Sequence, residues 1–256
     1  MDLFKTLTPK IIKRTPPSDP LPIACLMLAY VMEYARGLMA PHEAHGHGWK
    51  HCLAVFEHVV RALDNIAILL TDYQKLVLMI AALLHDADDK KLFKTTDYSN
   101  ARACMQTSPR PDLEALVIEI ISLVSCSENG NSEVPAEDRW KLFVRFADRL
   151  EAIGKIGILR THEYSTAVGM PLFTETTPRP TTSAELWACA TPERFALYTS
   201  GRKSASMMDH FFDKLLHICD MQSGSTYLDA TAQARKQEMV DFVLQWGRTG
   251  TIPPIN

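Results

Sequence analysis

The chain has 256 residues, 46% of them hydrophobic, which is enough to bury a large core as one domain or one domain plus a cap. Its 27 Lys and Arg stand against 30 Asp and Glu, a formal charge of −3, and this excludes an overall basic field for a nucleic-acid polymer or an anionic membrane. Cys25, Cys52, Cys104, Cys126, Cys189 and Cys219 are scattered without a C-x-x-C pair, so they read as reduced thiols of a cytoplasmic protein.

Residues 1–20 mix Lys5, Lys10, Lys13 and Arg14 with a Pro-rich end and contain no apolar signal core, so they read as an N-terminal arm. Beyond them apolar residues recur at helical spacing and strict alternation is absent, which predicts an all-α fold over 21–250. The run from Leu21 to Met32 is apolar, but Glu33, Tyr34 and Arg36 interrupt it before the roughly 20 residues a membrane span requires. It predicts a core helix over 21–38. Further helices are expected over 47–70, over 72–85 with Thr71 as cap, and over 111–126, 136–153, 205–221 and 226–246. Ser127 to Ser132 reads as a loop, and the Thr- and Pro-rich stretch 174–182 as a surface crossing. The segment 161–205, with Pro171, Pro178 and Pro180, reads as an irregular insertion.

His85 and Asp86 end the apolar run that begins at Leu76, where a buried helix should surface. An imidazole and a carboxylate placed there need partners, and a divalent cation is one such partner. Upstream lie His42, His45, His47 and His51, the last two one helical turn apart and so on one face. Downstream, Asp148 interrupts an apolar helical segment; its residue context alone equally allows a salt bridge to Arg145 or Arg149.

The order His, then His-Asp, then Asp, on helices throughout, resembles the HD-domain metal-dependent phosphohydrolases, which implies an HD-domain helical bundle. The similarity is carried by His47-Gly-Trp-Lys-His51, Ala82-Leu-Leu-His-Asp-Ala-Asp-Asp-Lys90, the block from Ala147 to Arg160, and His210-Phe-Phe-Asp-Lys-Leu-Leu216. These resemble a bacterial-type subfamily that includes nucleoside triphosphate pyrophosphohydrolases. The resemblance implies His51, His85, Asp86 and Asp148 as ligands of a divalent ion, with Mn, Co, Mg, Ni, Fe and Zn all admissible. Two positions depart from the pattern: Gly48 stands where the family carries an acid, and Ala54 where it commonly carries Arg.

The resemblance also implies hydrolysis of a small phosphorylated metabolite, foremost a nucleotide. The bond is either the anhydride of a triphosphate, giving monophosphate and pyrophosphate, or the ester of a monophosphate, giving nucleoside and phosphate. Asp89, one turn beyond the pair, is the residue expected to orient or deprotonate the attacking water. His47, Lys90, Arg160 and Lys214 are expected to contact substrate, with Lys91 as a further cation. Trp49 is expected in the core rather than as a stacking platform. Neither a nucleic-acid polymer nor a membrane is expected as partner, while a homodimer is compatible with the sequence. Two alternatives accompany this reading: an HD-type di-iron oxygenase using His42 and His45 as added ligands, and a catalytically silent nucleotide-binding module.

Overall fold

The computed structural model describes residues 21–45, 48–66, 68–106 and 111–255. The expected arm at 1–20 lies outside them. The described residues are predominantly helical, and their only strand-like pairing is a single bridge between Ile66 and Ser225. The fold is all-α.

The centre of the molecule is α3 (Asp72–Leu84), reached through α1 (Leu21–Met39) and α2 (Trp49–Asp64). Every residue from Val77 to Leu84 is buried, as a helix apolar on all sides must be. Thr71 accepts from the Gln74 backbone N–H while the Gln74 side chain accepts from the Thr71 N–H, so a capping box fixes the start of α3. α1 packs on α3, and Leu28, Val31 and Ala35 are buried along it. No helix among the described residues is long and apolar enough to cross a membrane.

Two helices carry the rest of the chemistry. α2 packs on both α3 and α7 (Phe143–Ala152), and α7 turns into α8 (Gly154–Ala167). Gly154, at φ +71°, makes that turn. A Cβ there would meet the Arg235 and Glu238 side chains of the long helix α12 (Thr226–Thr249) at 2.7 Å. α12 closes over the junction, with Arg235 donating to the Leu150 carbonyl and Glu238 accepting from the Lys155 N–H at 2.8 Å.

Several boundaries differ from expectation. α2 stops at Asp64 rather than at 70, because Asn65 caps the helix and Ile66 pairs with Ser225. The expected helix over 136–153 is a 3₁₀ segment (Ala136–Leu142) followed by α7, and that over 205–221 is α11 (Met207–Asp213) plus a 3₁₀ turn (Leu215–His217). The segment 161–205 is not irregular throughout. α8 runs on to Ala167, α9 spans Ser183–Cys189 behind a Thr182/Glu185 capping box, and α10 spans Pro192–Thr199 with proline in its first turn. Two further short helices, α4 (Ser99–Met105) and α6 (Cys126–Asn129), had no periodic signature, and α5 spans Pro111–Ser122. Residues 174–182 form no helix, in line with the sequence. All six thiols are free, with Cys52, Cys104 and Cys219 buried. Trp49 packs half-buried against the core.

Candidate metal centre

The end of α3, the first turns of α2 and the middle of α7 meet at one point. His51 Nε2 and His85 Nε2 are 3.2 Å apart, and Asp148 Oδ1 lies 3.1 Å from the first and 3.7 Å from the second. Asp86 approaches with two different oxygens, Oδ2 at 3.5 Å from His51 Nε2 and Oδ1 at 3.5 Å from His85 Nε2. Donors about 2.1 Å from a shared cation stand about 3.0 Å apart when cis in an octahedron and about 3.4 Å apart in a tetrahedron. The His51–His85 and His51–Asp148 separations fall in that range, and the other three exceed it by 0.1 to 0.3 Å. Among the described residues, His51, His85 and Asp148 form a compact group that could hold a metal ion.

The donor chemistry fits as well as the spacing. His85 Nδ1 donates to the Ala82 carbonyl at 2.8 Å, which fixes the tautomer and leaves the Nε2 lone pair aimed at the centre. Two imidazoles and two carboxylates offer nitrogen and oxygen in the mixture that divalent transition ions accept. Burial is the largest influence on both rings and opposes a proton; it prevails at His51, whose pKa falls, and is outweighed at His85 by Asp86 and Asp148. At Asp148 burial also opposes the charge, yet the His51 hydrogen bond and both imidazoles hold the carboxyl well below its ordinary range. The site is built to keep Asp148 anionic. Arg145 and Arg149 donate instead to backbone carbonyls at Leu123, Ser132 and Gly130.

Uncharacterized protein L803 of Acanthamoeba polyphaga mimivirus is 39% identical over 230 residues, covering 82% of this chain and 92% of L803. This chain belongs to the L803 family. Uncharacterized protein YpgQ of Bacillus subtilis is 29% identical over 210 residues, 79% of this chain and 84% of YpgQ. Among solved structures, one from Lactobacillus plantarum superposes on the L803-family chain with TM-score 0.63 at 24% identity, covering 89% of this chain and 98% of its own. YpgQ, solved in complex with ADP, superposes with TM-score 0.60 at 22% identity over 91% and 98%. At such identities these structures establish the fold alone. No family model matches the L803-family chain.

The remaining expected site residues divide. Arg160 is at the centre: its Nη1 donates to the Glu151 carbonyl at 2.8 Å and lies 3.4 Å from His51 Nδ1. Asp89 is half-buried in the turn after α3, its Oδ1 accepting from the Lys91 N–H at 2.7 Å, and its charge favours the protonated form of His85. Lys90 does not join the site. Its side chain is 82% exposed and bonded to Glu128, because the turn at Asp89 directs it outward. Lys90→Ala is therefore expected to leave the thermal midpoint and any phosphohydrolase rate unchanged, read by calorimetry and a phosphate-release assay. Lys214 lies with its Nζ 5.6 Å from the centre of the Tyr198 ring and close to His210. His47 lies outside the described residues, as does the His45 side chain, while His42 stacks edge-on to Phe93.

Sequence reasoning missed the residues that hold the ligands in place. Glu151, one turn beyond Asp148, is buried and accepts from His58 Nε2 at 2.9 Å and from Arg235 at 3.2 Å, while His58 Nδ1 meets the Tyr227 hydroxyl at 2.7 Å. Asp88 caps α4 by accepting from the Asn100 and Ala101 N–H groups at 3.0 Å, which fixes the turn that carries Asp86 and Asp89. Glu43 explains Gly48. Its carboxylate accepts from the Lys50 N–H at 3.0 Å, and a Cβ at Gly48 would stand 2.6 Å from the Glu43 Cα. Glu43 fills the space beside Gly48 and supplies an anion at the start of α2.

Proposed function

We propose that this chain is an HD-type metal-dependent phosphohydrolase acting on a small phosphorylated metabolite, foremost a nucleotide. The observation that carries the reading is the convergence of His51 Nε2, His85 Nε2 and Asp148 Oδ1, with Asp86 on both rings. A nucleotide is favoured because the related YpgQ was solved in complex with ADP.

His51, His85, Asp86 and Asp148 would hold the ion. The chemistry such an ion would supply, when bound, is a lowered pKa of its water and neutralised charge on phosphoryl oxygens. Asp89, on the turn just past the ligand pair, is the carboxylate assigned to orient or deprotonate the attacking water. Arg160, anchored across the α7–α8 turn, presents a guanidinium beside His51 for a phosphoryl oxygen. Lys91 and Lys214 flank His210, whose pKa burial and these two ammonium groups push down to about 3. The imidazole thus stays neutral, and both cations remain available to a polyphosphate. α11, which bears His210, packs against α8, which bears Arg160.

The test is a metal-supplemented screen of nucleoside mono-, di- and triphosphates on the full chain, resolving orthophosphate from pyrophosphate. Turnover that requires Mn, Co, Mg or Ni and vanishes with chelator is expected. No turnover on any nucleotide or sugar phosphate with any of these ions would leave the silent binding module as the better reading.

A further inference from the structure

α7 carries a second kind of chemistry on another part of its surface. Arg145 and Arg149 stand one turn apart and are 2% and 4% exposed. Arg145 donates through Nε to the Leu123 carbonyl at 2.6 Å and through Nη1 to the Ser132 carbonyl at 2.7 Å, and Arg149 through Nη2 to the Gly130 carbonyl. Arg145 Nη2 and Arg149 Nε are buried and have no hydrogen-bond partner among the described residues, while Arg139 Nε, equally buried, lies 3.5 Å from Glu133 Oε2. All three arginines line one cavity of about 590 Å³, together with Trp187, His217 and Gln233.

Three arginines and three carboxylates line this cavity, and two of the guanidiniums are buried outside any direct ion pair among the described residues. Of its carboxylates, Glu133 lies 3.5 Å from Arg139, Asp220 accepts from Lys236, and Asp229 accepts from Ser223. No direct ion pair reaches Arg145 or Arg149 among the described residues, and burial, with the Arg149 charge adding and the Glu133 carboxylate opposing, pushes Arg145 down to about 10. A buried cation left without an anion is costly, and orphaned guanidinium N–H groups add to that cost. Two guanidiniums without a direct ion pair match a phosphate dianion better than a monocarboxylate, and guanidinium forks suit a tetrahedral oxyanion. The volume exceeds that of a single ion. It has room for a molecule of nucleotide size, with Trp187, 36% exposed, among the lining residues.

We propose that this cavity binds the phosphate group of a small molecule at a site separate from the metal-ligand group. None of His51, His85, Asp86, Asp148, Arg160 or Lys214 lines it. The site depends on arginines and not on a metal, so it stands whether or not the phosphohydrolase reading does.

The probes are inorganic phosphate and AMP, titrated in chelator into the full chain and into His85→Ala, with calorimetry and tryptophan fluorescence as readouts. Saturable binding of equal affinity in both proteins is expected, with succinate not competing. Arg149→Gln and Arg139→Gln should each weaken it by about tenfold or more, as loss of a charge-assisted contact does. Arg139, whose side chain is 37% exposed, decides the matter if Arg149→Gln fails to fold by circular dichroism. The proposal is overturned if neither probe binds, if succinate binds equally well, if the folded arginine variants keep native affinity, or if His85→Ala abolishes binding.

Discussion

His85→Ala should lose divalent-ion binding and at least about a thousandfold of phosphohydrolase rate, some 4 kcal/mol of transition-state stabilisation, while keeping a folded helical spectrum. The ring is fully buried, yet most of its contacts serve orientation. Nδ1 is spent on the Ala82 carbonyl so that Nε2 faces His51 and the two carboxylates. Removal deletes one nitrogen donor and leaves Asp86 and Asp148 facing each other without a cation between them. Metal content by atomic emission, circular dichroism and the rate together check this. Undiminished, metal-dependent turnover in a folded His85→Ala would defeat the assignment of the site.

Gly157→Ala should destabilise the protein by about 2–3 kcal/mol, a fall of roughly 5–10 °C in thermal midpoint, because the added methyl has no room and the core resists repacking. A Cβ at Gly157 would overlap the Ala152 carbonyl oxygen, which belongs to backbone and cannot swing aside. The junction between α7 and α8 must open to admit it. Opening moves Arg160 away from the Glu151 carbonyl and from His51, so a loss of substrate affinity should accompany the loss of stability. Differential scanning calorimetry reads the first effect and steady-state kinetics the second. An unchanged midpoint would show that the close approach at Gly157 is not a constraint.

Much of the architecture was legible because it rests on local pattern. Thr71 announced the start of α3, and the unbroken apolar run to Leu84 announced its burial. The signals of α9 and α10 were equally local, Thr182 with Glu185 and Thr191 with Pro192, but prolines at 171, 178 and 180 suggested an irregular stretch throughout. Proline stops a helix only from the interior, whereas these lie before the helices or, like Pro192, open one. α4 gave no local sign because its cap, Asp88, comes from the preceding turn and not from Tyr98, which sits in left-handed backbone at φ +55°.

The sequence by itself determined the helical class and the central helix, because helical period is written along the chain, and the resemblance of its blocks pointed to the four side chains proposed as ligands. Only the tertiary structure decided what those side chains face. It turned Lys90 to Glu128, set Glu43 against Gly48, buried Glu151 under His58 and Arg235, and left Arg145 and Arg149 around a cavity rather than on Asp148. Each outcome depends on contacts between residues far apart in the chain. Which of several equally placed cations meets a given carboxylate is settled by packing and burial, and no local pattern encodes that choice.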